Sequence, residues 1–124
     1  AKAKAFSEWP TLDDPRTATY KQAYADHDAA DHSSTQPDDL GIPAFGVIQI
    51  ISAALKATGR DLGMDAFKRT MTNFSYQPPD GTWAPVAFGP GVRVGTNKVA
   101  VYTVSGTTPQ NAAWKLERDY TAGF

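Results

Sequence analysis

No cysteine occurs among the 124 residues, which excludes disulfide frameworks, thiolate metal sites and cysteine nucleophiles. An excess of one charge sign is missing too. Twelve basic residues stand against 13 acidic ones for a net charge of −1, and no block of like charges could track a phosphate backbone or an anionic membrane. Nucleic acid is therefore not expected as a partner. Long apolar runs are also lacking: the best candidate covers about 16 residues and carries Gln49 and Lys56 within it, short for a bilayer span. A buried core helix is the expectation there, with no membrane insertion. The opening AKAKAFSEWP has two lysines without an apolar stretch behind them, so it reads neither as a signal peptide nor as an anchor. What remains is a chain of one ordinary domain's length, able to bury roughly two thirds of the surface its unfolded form exposes.

Proline and glycine are plentiful, with 9 and 10 copies, and they punctuate the chain. In TLDDPRTATYKQAYADHD, Asp14 can cap free amides and Pro15 suits the first helical position because it has no amide to lose. Tyr20, Tyr24 and His27 then fall at helical spacing, which predicts a helix over 15–28 with Lys21, Gln22 and Asp26 on its wet side. The Asp-, Ser- and Pro-rich AADHSSTQPDDLG reads as a surface loop. A second helix is predicted over 43–58, apolar round most of its circumference, entered through Pro43 and stopped by Gly59. A third, over 62–73, places Met64, Phe67, Met71 and Phe74 on one core stripe. The period then changes. Short extended pieces are predicted near 86–88, 99–104 and 113–117, after a Pro-Pro-Asp-Gly turn. The expected order is three helices and then strands, in one segment without an internal repeat.

Few side chains offer chemistry. His27 and His32, with Asp26, Asp28 and Asp31 around them, are the residue types of a metal site. Their spacing of five does not aim two imidazoles one way, and a solvated helix end accounts for them. Asp13 and Asp14 could pair for acid–base work, but capping accounts for Asp14. No serine sits in a nucleophile elbow. No catalytic residue, metal ligand or cofactor is predicted. The stretch FGPGVRVGTNKVAVYTVSG, Phe88 to Gly106, raises three possibilities: a phosphate cradle, a ligand lid, or the bend that starts a hairpin. A cradle needs a helix after the glycines, and here a strand follows. A lid needs a pocket, which this chain is not expected to contain by itself. The bend is the reading that stays.

The order of these pieces carries a resemblance. DDPRTATYKQAY, then AFGVIQIISAALKATGRDLGMDAFKRTM, then APVAFGPGVRVGTNKVAVYTVSG and WKLERDYTAGF resemble the C-terminal portion of type I extracellular solute-binding proteins of ABC transporters, the branched-chain amino acid and amide-binding family. The phrase carried by Ala54, Leu55, Lys56, Gly59, Asp61 and Leu62, and the turn PVAFGPGVRVGT, match its patterns. The resemblance spans nearly the whole chain, whereas two lobes of ordinary domain size would make a protein roughly three times as long. It implies an α/β fold of the periplasmic-binding-protein type I kind, here a fragment with three helices and a C-terminal β-hairpin. It implies a non-enzymatic receptor, periplasmic or extracellular, that closes two lobes on an amino-acid-like, amide or aromatic-acid solute and presents it to a transporter permease. Solute would be held only together with the missing lobe segments, and Phe45 is the one position here that resembles a ligand-wall aromatic. Two alternatives stand beside it: a free-standing module that associates with a second copy of this chain, and a metal-dependent enzyme built on His27, Asp31 and His32.

Overall fold

The computed structural model describes residues 3–31, 36–108 and 111–122. It is a mixed α and β structure. A strand β1 (Lys4–Ser7) leads to a 3-10 turn (Pro15–Thr17) and three helices, α1 (Ala18–Asp31), α2 (Gly41–Thr58) and α3 (Met64–Met71). Strands β2 (Ser75–Tyr76), β3 (Val86–Ala87), β4 (Lys98–Ser105) and β5 (Ala113–Ala122) follow. Two sheets form, one in the order β1-β4-β5 and the other from β2 and β3, and all their strand pairs are antiparallel. The expected hairpin is present as β4–β5. The expectation of helices before strands needs correction, because β1 opens the chain and pairs with β4 from Lys4↔Thr103 to Ser7↔Ala100. Four residues beside a Trp-Pro carry too little alternation to announce a strand whose partner lies almost a hundred positions away.

Asp14 and Pro15 do open a helical segment: Asp14 is extended at ψ 135° and its side chain accepts from the Arg16 N–H. The first turn is tighter than an α-helix, and the α-helix proper runs from Ala18 to Asp31, beyond the predicted end at 28. Tyr20 is buried and Tyr24 half-buried, as a docked face requires, while His27 is exposed. α2 begins two residues before the predicted 43 and stops at Gly59, whose φ of 82° and N–H bonds to the Leu55 and Lys56 carbonyls end it. α3 is shorter than predicted, with Asp65 in its first turn and Lys68 and Arg69 in its last, each favourable to the helix dipole.

The burial of α2 departs most from expectation. Its buried residues are Ile42, Gly46 and Ala54, and only 17 % of the 18-residue span is buried. The helix is long and apolar enough to meet the minimum for a membrane span by length and composition, against the shorter length read from sequence. Its inner side mixes Ile42 and Ile50 with small and polar residues. Gly46 approaches Trp83 so closely that a Cβ would lie 3.0 Å from the Trp83 Cβ. Gln49 turns inward and its Nε2 donates to Asp80 Oδ2 at 3.0 Å and Thr82 Oγ1 at 3.1 Å. The aliphatic side chains Val47, Ile48, Ile51 and Leu55 point outward and are 40–61 % exposed. The apolar core beneath α2 centres on Ala54, Phe74 and Val86, with Ile50, Phe67, Met71, Trp83 and Phe88 packed around them. The Met64 end of the α3 stripe lies outside that core and is exposed.

Candidate functional site

Two arrangements bring chemistry-bearing groups together. The first is centred on Arg16. Its Nε and Nη2 donate to the two oxygens of Asp14 at 2.9 and 2.7 Å, a two-pronged pair. Nη2 also donates to the Tyr102 hydroxyl at 2.8 Å, and Nη1 to Asp119 at 2.8 Å. The guanidinium carbon lies 5.1 Å from the centre of the Tyr120 ring, and the Tyr120 hydroxyl donates to the Gly81 carbonyl at 3.0 Å. Register shifts on either side of Val101, opposite residues 116–121 of β5, fall where Asp119 and Tyr120 lie. The cap, the central strand β4 and the edge strand β5 are thereby tied to one cation.

Burial alone would raise the Asp14 carboxyl, but the hydrogen bonds from the Arg16 side chain and backbone, the Arg16 charge and the Tyr102 hydroxyl outweigh it and hold the carboxyl below its ordinary value. Desolvation would lower the Arg16 guanidinium, and Asp14 and the neighbouring tyrosines reverse this, so it stays charged. Burial pushes the Tyr102 hydroxyl up to about 12 against the opposing pull of Arg16, and Tyr120 is raised by the same cause. No buried side-chain polar atom among the described residues lacks a partner. Saturated in this way, the group acts as a clamp. Capping therefore accounts for only part of Asp14.

The second arrangement surrounds the glycine-rich turn. Pro90 and Gly91 occupy the centre of a turn closed by Val92 N–H donating to the Gly89 carbonyl at 2.9 Å, and the φ of 77° at Gly91 is what such a turn demands of its third residue. Gly95 lies against the Phe88 ring, where a Cβ would meet the ring carbons at 2.6 Å. The Ala87 N–H donates to the Gly95 carbonyl at 2.6 Å and draws the turn back onto β3. Residues of this stretch line three clefts of about 310–440 Å³. The expectation that the chain holds no pocket beside this turn is thus corrected. The turn is a fixed wall, tied to β3 at Ala87, and the strand after it begins at Lys98.

Phe45 is half-buried, its ring 5.7 Å from that of Tyr20 at 55°, and it lines none of these clefts. His27 is exposed on α1; Asp31 closes that helix, and His32 lies outside the described residues. Among the described residues no three His, Cys, Asp or Glu side chains assemble as a metal site. Sequence reasoning missed Arg16, whose partners sit at 102, 119 and 120, and Glu8, which lines the smallest of the three clefts. The Asp14 partner of Arg16 is local, but its partners at 102, 119 and 120, like the surroundings of Glu8, come from distant parts of the chain. Compared with models of known families, with curated proteins and with solved structures, the chain matches none.

Proposed function

We propose that the chain is a segment of an ABC-transporter solute receptor of the branched-chain amino acid and amide type. The receptor captures a small amino-acid-like, amide or aromatic-acid solute by closure of two lobes and presents it to a permease in the periplasm or outside the cell. The ordered sequence phrases support this reading, and one structural observation carries it: the uncovered aliphatic face of α2 formed by Val47, Ile48, Ile51 and Leu55. Burying such a side chain contributes about 1.5–3 kcal/mol, and a contiguous exposed group of them marks a surface meant for cover. In a type I lobe the helices flank a parallel sheet, so the cover would be strands from the remainder of the receptor. Phe45, held by Tyr20, is the ligand-facing candidate within this segment.

The test is the coding sequence upstream of Ala1 together with the product it encodes. The reading expects an open frame for about two hundred further residues, and slower amide exchange over Val47–Leu55 in that longer product than in the 124-residue chain. A frame that opens at Ala1, or unchanged exchange over α2 in the longer product, overturns it. A second reading, a module that associates with its own copies, is favoured by β5, an edge strand of 10 residues whose outer side pairs with no strand among the described residues. It expects a mass above the monomer by light scattering.

A further inference from the structure

We propose that the cleft between α2, the Trp83 segment and the glycine-rich turn is a binding site for a small organic ammonium ion whose body is about the size of a phenyl or branched alkyl group. Its walls are Val47 and Ile50 from α2, Trp83, Val86 and Phe88 from the segment entering and leaving β3, and Val94 from the turn. The volume of about 310 Å³ lies at the small end of the range for ligand cavities.

Among the residues lining this apolar cup, one can ionise: Glu8. It is half-buried, and its carboxylate makes no hydrogen bond or ion pair with any described residue. Its backbone is fixed, because the Glu8 carbonyl accepts the Ala84 N–H at 2.7 Å and the next residue, Trp9, stacks on Trp83 at 5.5 Å between ring centres. A half-buried acidic residue whose backbone is held beside an aromatic cup lacks one thing, a positive charge. An ammonium group supplies it, and the aromatic residues Trp83 and Phe88 in the lining are of the kind that attracts the same charge. A carboxylate ligand would meet repulsion, and a neutral apolar one would leave Glu8 unpaired. Thr96 on the rim adds a polar group within the lining. This inference does not depend on the receptor reading, which concerns a solute held with other segments.

The test titrates the isotopically labelled 124-residue chain with 2-phenylethylamine at neutral pH, following amide shifts by NMR. 2-Phenylethanol and phenylacetate, with the same ring, serve as neutral and anionic controls. Saturable shifts at Val47, Gly95 and Thr96 are expected with the amine. Binding should weaken about tenfold or more with either control, and by a similar factor in Glu8→Gln, since a hydrogen bond to a charged group is lost. Glu8→Gln should keep the melting temperature, because the carboxylate has no partner to lose among the described residues. Val47→Trp, filling the cup from its exposed side, should abolish the shifts. Equal affinity for amine and alcohol, an unaffected Glu8→Gln, shifts that map elsewhere, or no saturation at millimolar amine overturns the proposal.

Discussion

The surroundings of Arg16 and the outer face of α2 are opposites. Around Arg16, the guanidinium, the Asp14 carboxylate and the Tyr102 hydroxyl have been taken largely out of water and each has found a partner. Along α2, four aliphatic side chains stand in water. The difference shows where this chain holds itself together and where it is open to something else. Polar burial is tolerated when partners come from three distant parts of the sequence at once, and that requirement makes the Arg16 group a fastening of β4 and β5 onto the start of α1. Apolar exposure has no such internal remedy.

The largest effect expected from breaking this contrast is at Arg16. Arg16→Ala leaves Asp14, 8 % exposed, as a buried carboxylate without its cation, and the loss should be roughly 3–5 kcal/mol in denaturant unfolding. Arg16→Lys should recover only part of it, because an ammonium cannot reproduce the two-pronged contact. Asp119→Ala, at the solvent end with a side chain 69 % exposed, should cost less than about 1 kcal/mol. Equal losses at Asp14 and Asp119 would mean that the guanidinium is gripped from the solvent side, and the contrast with α2 would disappear.

A smaller effect follows from pH. Tyr102 titrates near 12 in the folded chain and near its ordinary value of 10 when unfolded. The folded state thus favours the protonated hydroxyl, and its contribution is fully present below pH 10. It is lost as pH rises from about 10 to about 12, by roughly 3 kcal/mol. Asp14 behaves in the opposite sense: its contribution is present above the ordinary carboxylate range and is lost as pH falls through its lowered folded value. Thermal melts across both ranges should show the two losses, and Tyr102→Phe should reduce the alkaline one to the share that the raised Tyr120 hydroxyl supplies, with a smaller change on the acid side where the Tyr102 hydroxyl helps to hold Asp14 low.

Local features of this fold were legible wherever a short stretch decides the outcome. The Asp14–Pro15 start, the Gly59 stop and the alternation that becomes β4 need only their neighbours. β1 and the two-residue β2 were not legible, since their partners at 100–103 and 86–87 give so short a strand its only reason to be extended. The composition of α2 showed that it is apolar nearly all round, but not which side turns inward. That choice falls to Gly46, because Trp83 needs the room, and to Gln49, because Asp80 and Thr82 offer it partners. The candidate site follows the same rule: Phe45 could be named as an aromatic, but its Tyr20 contact, the Arg16 partners and the bare Glu8 carboxylate arise only on folding.

The smallest expected effect bears most directly on the α2 face. Ile51 is 45 % exposed on the outer side of the helix, and Ile51→Lys in the 124-residue chain should change stability by no more than about 0.5 kcal/mol, the range of ordinary surface substitutions. Lysine is as good a helix former as isoleucine or better, so propensity does not oppose it. In a longer receptor product with strands laid over α2, the same substitution would bury an unpaired ammonium and should cost several kcal/mol. A near-zero result in the short chain and a large one in the long product would identify the face as an interior surface awaiting the rest of its lobe. A large loss already in the short chain, together with a mass twice the monomer in light scattering, would instead mean that a second copy covers the face, because no other source of cover is then in solution.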